Sequence, residues 1–152
     1  MRALIQRVAE ASVDVVSDDE GAARKAGRIG PGILALVGFT AGDEVAALSW
    51  MAAKIAELRV FPAGGSGFDR SLLDTDGELL VVSQFTLYGD ARKGRRPDFT
   101  AAAPYAEAEI LYKQFCELCE ALLPGRVATG EFGAMMRVSL VNEGPVTLWL
   151  ER

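Results

Sequence analysis

The chain has 152 residues, the usual length of one domain, and half of them are apolar with 24% charged, which supports a packed core rather than disorder. Sixteen Lys and Arg against 21 Asp and Glu leave a net charge of −5, which argues against a broad basic nucleic-acid-binding surface and leaves room for a local basic patch. The chain has no histidine, which removes every Ser-His-Asp and Cys-His mechanism and every His-ligated metal site.

The first ten residues, MRALIQRVAE, have no sustained apolar stretch, and the longest apolar runs, such as Ile33–Phe39, are far too short to span a bilayer. An intracellular, cytoplasmic protein is expected. Residues 2–16 read as extended: Ile5, Arg7 and Ala9 share one face against Leu4, Gln6 and Val8, and Val13 and Val15 alternate with Ser12 and Asp14. Ser17–Gly21 is a turn cluster, Ala22–Ile29 a weak strand, Gly30-Pro31-Gly32 a turn and Ile33–Phe39 a buried strand. Asp43 reads as the N-cap of a helix whose apolar face is Leu48, Met51, Ile55 and Leu58. Arg59-Val60-Phe61 is a short strand ended by Pro62. The glycine-rich stretch 63–67 lacks the Gly-Lys-Ser/Thr ending of a phosphate loop and reads as a plain loop. Asp74–Gly77 runs out of carboxylates too soon for calcium and reads as a hairpin turn before the strand Leu79–Ser83.

Residues 87–100 are polar and carry the basic run Arg92-Lys93-Gly94-Arg95-Arg96. Pro104 fits the first position of a second helix with a core stripe of Leu111, Phe115, Leu118 and Leu122, ended by Pro124-Gly125. Cys116 and Cys119 form a lone C-x-x-C inside that helical pattern, which suits buried helix cysteines better than a redox pair or zinc. Met136, Val138 and Leu140 then alternate with Arg137 and Ser139, and Val146–Leu150 closes the chain after Gly144-Pro145. The expected fold is α/β: a strand-rich single domain over 1–152, with a mixed, barrel-like sheet and two main helices.

Three segments invite a functional reading. Ser83-Gln84-Phe85-Thr86 ends the strongest buried strand, where small hydroxyls and an amide either line a pocket or simply terminate the strand. Thr129–Met135 places two glycines around Phe132, which either exposes the ring in a sharp backbone path or makes a bulged turn. Asn142–Thr147 sets a proline in a strand-like pattern, and the isomer of the Gly144-Pro145 bond is open.

In order, MRALIQRV at 1–8, SQFTL at 83–87, KGRRPDF at 93–99, TGEFGAMM at 129–136 and VNEGPVTLWL at 141–150 resemble the D-aminoacyl-tRNA deacylase family over essentially the whole chain. Two departures stand out: Phe68-Asp69 where the family often has Met-Asn, and Glu143 where it often has Asp. The resemblance implies a cofactor-free homodimer that hydrolyses the ester joining a D-amino acid to the 3′-terminal ribose of tRNA. It assigns Ser83, Gln84, Phe85 and Thr86 to the catalytic pocket. It makes Gly144-Pro145, with a cis bond, the chirality element reaching into the partner's pocket, with Arg7 bracing it. Phe132 and Met135 would lie near the adenosine and aminoacyl group. Arg92, Lys93, Arg95 and Arg96 would contact phosphates of the acceptor end, or form a solvated loop. No metal is expected. Two other classes stay open: a non-catalytic nucleic-acid-binding member of the same fold, and a small-molecule binding protein with an intersubunit pocket.

Overall fold

A computed structural model of the chain describes residues 1–16, 23–65 and 67–152. The turn expected at Ser17–Gly21 lies outside the described residues. Among the described residues, six strands and two helices follow in the order β1 (Arg2–Val16), β2 (Ala23–Ile29), β3 (Gly32–Gly38), α1 (Val45–Glu57), β4 (Glu78–Ser83), α2 (Tyr105–Leu122), β5 (Val127–Thr129) and β6 (Met136–Glu151). A 3₁₀ turn, Phe85–Tyr88, follows β4. The strands form one mixed, nearly closed, barrel-like sheet in the order β2-β1-β3-β4-β5, with β6 on the other edge of β1. β1 pairs antiparallel with β2, β3 and β6, whereas β3, β4 and β5 run parallel.

Apolar alternation puts core on both faces of this sheet. Ile5, Ile33, Ala35, Val37, Leu79 and Val81 meet the buried stripes of the two helices. Val8, Ala11, Val13, Ile29, Leu34, Leu80 and Val82 form a second cluster on the opposite face, flanked by Met136, Val138 and Leu140. In β1 the buried positions change parity between Val8 and Ala11. Its register explains why: Val8 faces Asn142 and Glu10 faces Val141, so Ala9 is an extra residue, a bulge that reverses the phase. The curl of the sheet brings β2 against β5. A Cβ on Gly27 would stand 2.8 Å from the Thr129 carbonyl oxygen, so only glycine permits that approach.

Several local expectations are corrected. Asp43 does not cap α1; Glu44 occupies that position without a side-chain bond. The Asp43 carboxylate instead accepts from the Met1 ammonium at 2.6 Å and from the Thr40 N–H at 2.9 Å. Leu58 lies one residue past α1, half-buried. Val60 and Phe61 form no strand, only an isolated bridge between Phe61 and Arg70. Residues 74–77 are a turn but not a hairpin, because α1 carries the chain from β3 to its parallel neighbour β4. Pro104 caps α2 rather than opening it. The buried stripe of α2 is Ala108, Leu111, Tyr112, Phe115 and Cys119; Leu111 and Phe115 are as expected and Leu118 packs partly buried against the same core, whereas Leu122 is exposed, because the helix packs on α1 and β5 together. Burial pushes the Cys116 thiol up to about 11, so it stays protonated at neutral pH, as suits a packing residue.

The Met1–Asp43 pair is buried on both sides, with side-chain exposures of 0% and 6%. Removing one partner of a buried pair leaves the other charge unsatisfied. Asp43→Ala should therefore lower the unfolding free energy by about 3 kcal/mol in urea titrations; an unchanged midpoint would show that water replaces the carboxylate at no cost.

Candidate active site

β4 and β5 are parallel neighbours, so their carboxyl ends open on the same side of the sheet. At the end of β4 the chain turns at Ser83-Gln84 into the 3₁₀ turn, held by the Gln84 N–H donating to the Val37 carbonyl at 2.7 Å. At the end of β5 it leaves through Gly130–Met135. Between them lies a cleft of about 640 Å³ lined by Ser83, Gln84 and Phe85 from the first segment and Phe132, Gly133, Ala134, Met135 and Met136 from the second. Val82 and Val138 line it from the sheet, and Phe99, Ala102, Ala103 and Tyr105 complete the wall. Phe85 and Met135 are exposed at its mouth.

The aromatic side chains pair edge to face. The Phe85 and Phe99 ring centroids are 5.0 Å apart at 67°, and those of Tyr105 and Phe132 are 5.1 Å apart at 64°. Thr86 does not line the cleft; it is exposed on the 3₁₀ turn, where its Oγ1 accepts a hydrogen bond from Gln84 Nε2. Among the described residues no carboxylate or amine bonds that hydroxyl. The N–H groups of Phe85 and Thr86 head the turn and have no acceptor among the described backbone bonds, as expected for the first donors of a helix.

Gly144 and Pro145 stand elsewhere. β6 pairs Thr147 with Gln6 and Asn142 with Val8, so the four intervening residues loop out of the ladder. The Asn142 side chain closes this loop, accepting from the Val146 N–H at 2.9 Å and donating to Thr147 Oγ1 at 2.9 Å. Arg7, opposite the loop, donates through Nε to the Glu143 carbonyl at 3.0 Å and through Nη1 to the Val60 carbonyl. The Gly144-Pro145 peptide is cis, and both residues are exposed and outside the lining of the cleft.

The basic run lies on a loop closed by paired backbone bonds between Asp90 and Asp98, at 2.7 and 2.9 Å. Arg92 is folded back on Asp90, with Nε–Oδ1 at 2.9 Å and Nη2–Oδ2 at 2.5 Å. Those bonds hold the Asp90 carboxyl down at about 2, so Asp90 is ionised throughout the neutral range and Arg92 has a carboxylate partner within its own loop. Lys93, Arg95 and Arg96 are exposed at the tip, and the loop returns to the cleft at Phe99. Phe99 and Tyr105 were not singled out in the sequence. Tyr105, an aromatic residue in the exposed first turn of an amphipathic helix, was the available signal.

The family model described as D-Tyr-tRNA(Tyr) deacylase matches residues 4–151. Proteins named D-aminoacyl-tRNA deacylase from Salinibacter ruber and Thermomicrobium roseum are 51% and 53% identical over 152 residues, covering 100% and 99% of this chain and 97% and 94% of theirs. A solved structure titled c-Myc DNA Unwinding Element Binding Protein is 40% identical, with a TM-score of 0.90 over 100% of this chain and 99% of that one. A probable eukaryotic D-amino acid tRNA deacylase, 19% identical with a TM-score of 0.82 over 98% and 97%, shares the fold. The chain belongs to the D-Tyr-tRNA(Tyr) deacylase family.

Gly144 has φ +129°, where side chains are strained, and an added Cβ would meet Val146 Cγ2 at 2.9 Å and Arg7 Nη2 at 3.0 Å. Gly144→Ala should displace the Arg7 brace and cost about 1–2 kcal/mol of stability. Thermal unfolding checks this, and a wild-type melting curve would mean that the loop absorbs the methyl group without rearranging.

Proposed function

We propose that this protein hydrolyses the ester bond of D-aminoacyl-tRNA, releasing the free amino acid and tRNA. Family membership sets the reaction, and one observation carries its location: the cleft where Ser83-Gln84-Phe85 faces the Phe132–Met136 wall. The terminal adenosine and aminoacyl group fit an aromatic, largely apolar cleft of this size.

The reaction asks little of side-chain chemistry. An aminoacyl ester is already activated, and its vicinal 2′-hydroxyl helps to position or activate the attacking water. The protein orients the ester and offers the free N–H groups of Phe85 and Thr86 to the developing oxyanion. Thr86 is a poor nucleophile here: its oxygen already accepts from Gln84, and among the described residues no base is placed to take its proton.

Chirality enforcement belongs to Gly144-Pro145, which does not line its own subunit's cleft. A homodimer supplies the missing element. Among the described residues β6 pairs with β1 alone and exposes Val141, Leu148 and Trp149, an apolar edge suited to a second copy that would bring its Gly144-Pro145 loop into this cleft. Turn carbonyls from that loop would hold the substrate α-amino group. With amine and ester both fixed, an L side chain is driven into backbone and a D side chain projects outward. Such a site rejects a side chain rather than recognising one, so glycine passes.

A second reading, nucleic-acid binding without hydrolysis, has one observation in its favour, the DNA-binding title of the 40%-identical structure. A time course on D-alanyl-, glycyl- and L-alanyl-tRNA with EDTA present separates the two. Hydrolysis of the first two with the L form spared is expected. Inert glycyl-tRNA would mean the pocket recognises the D side chain itself, and no hydrolysis at all would favour the binding reading.

The exposed tip of the 90–98 loop supports phosphate contact with the acceptor end, independent of sequence. Replacing Arg95 and Arg96 with Ala should weaken tRNA binding and reduce the slope of log K against log salt by about 1–2, since fewer counterions are released. An unaltered slope would return this loop to a solvated role.

A further inference from the structure

We propose that Tyr112, outside the cleft, is a positioning residue that sets the place of the Phe132 wall against the Ser83-Gln84 segment; this rests on the deacylase reading above. Tyr112 is on α2 and 5% exposed. Its hydroxyl lies 3.0 Å from the Val81 carbonyl and 3.4 Å from the Gly130 carbonyl. The Val81 carbonyl also accepts from the Gly130 N–H at 2.9 Å, one residue past the last paired residue of β5, Thr129. The hydroxyl therefore sits where β5 parts from β4. Beyond that point the two chains diverge, one into Ser83-Gln84 and the other into the Phe132 wall.

The ring continues the same role. The Tyr112 and Phe132 centroids are 5.7 Å apart, so Phe132 is held between buried Tyr112 and exposed Tyr105. A phenol carries one proton to donate. Burial pushes Tyr112 well above the ordinary phenol range, so that proton is retained at any working pH. Without the hydroxyl, the one bond it donates at the divergence point is lost while the Gly130 N–H still reaches the Val81 carbonyl, and the turn leaving β5 is free to shift while the core beneath keeps its ring.

The test compares wild type and Tyr112→Phe in full-length protein. It measures kcat and KM on D-alanyl-tRNA, and binding of 3′-(D-alanylamino)-3′-deoxyadenosine, whose amide resists hydrolysis. Loss of one buried hydrogen bond at the wall should weaken analogue binding and raise KM by about five-fold, with kcat and the D-over-L preference unchanged. Wild-type analogue binding and KM would overturn the assignment, as would a fall in kcat at constant KM, since the hydroxyl would then act on the chemistry. Phe132→Leu gives a second line: in its background Tyr112→Phe should add little, because both act through one ring. Fully additive losses would overturn the coupling. Wild-type protein that binds the analogue but hydrolyses no aminoacyl-tRNA would sink the deacylase reading alone, and analogue binding would still report on the wall.

Discussion

β1 serves two hydrophobic cores on opposite faces of one sheet, and a change of phase hands its buried odd-numbered positions from one face to the other. The extra residue at Ala9 makes that change, so Ala3 and Ile5 point to the helices while Ala11 and Val13 point to the second core. The same strand carries β6 on one edge and β3 followed by β2 on the other. Shift its register by one residue and every pairing inverts together.

The break in the β1–β6 ladder follows from this arrangement. Beside the bulge, four residues of β6 have no partner on β1, and the side chains of Asn142 and Arg7 take over the hydrogen bonds that the ladder gives up. The loop is thus ordered without belonging to the sheet, and its Gly144-Pro145 tip is presented outward. The cleft has a separate origin, at the carboxyl ends of the parallel strands β4 and β5, where neighbouring chains part and leave room for a ligand.

Much of this was legible in the chain itself. Leu48, Met51 and Ile55 repeat at helical spacing and are buried as that spacing requires. Ser83-Gln84-Phe85 and Phe132–Met135 are polar or glycine-flanked segments beside apolar strands, and both reach the cleft. Asp43 was misread because a carboxylate before a helix usually finds the helix, whereas this one found an ammonium group 42 residues away. The α2 stripe keeps Leu111, Phe115 and a partly buried Leu118, but Tyr112 and Cys119 are buried beside them while Leu122 is exposed, a choice made by the partners of the helix and not by its hydropathy. Arg92 looked like one of four equivalent cations, but its neutraliser is two residues back, in a loop geometry that charge counting does not contain.

By itself, the sequence determined the elements whose cause is local: period-2 and period-3.6 apolar repeats, turns at glycine and proline, an absence of imidazole chemistry, and the ordered motifs that mark the family. The tertiary structure decided whatever depends on which distant groups meet: the phase reversal in β1, the closure of β2 on β5 over Gly27, the placing of Phe99 and Tyr105 in the cleft wall, and the exclusion of Gly144-Pro145 from it. Strand pairing joins residues more than a hundred positions apart, as Ile5 and Leu148 are. No window along the chain carries that information, because the free energy that fixes it comes from burial and hydrogen bonding between segments and not from any one of them.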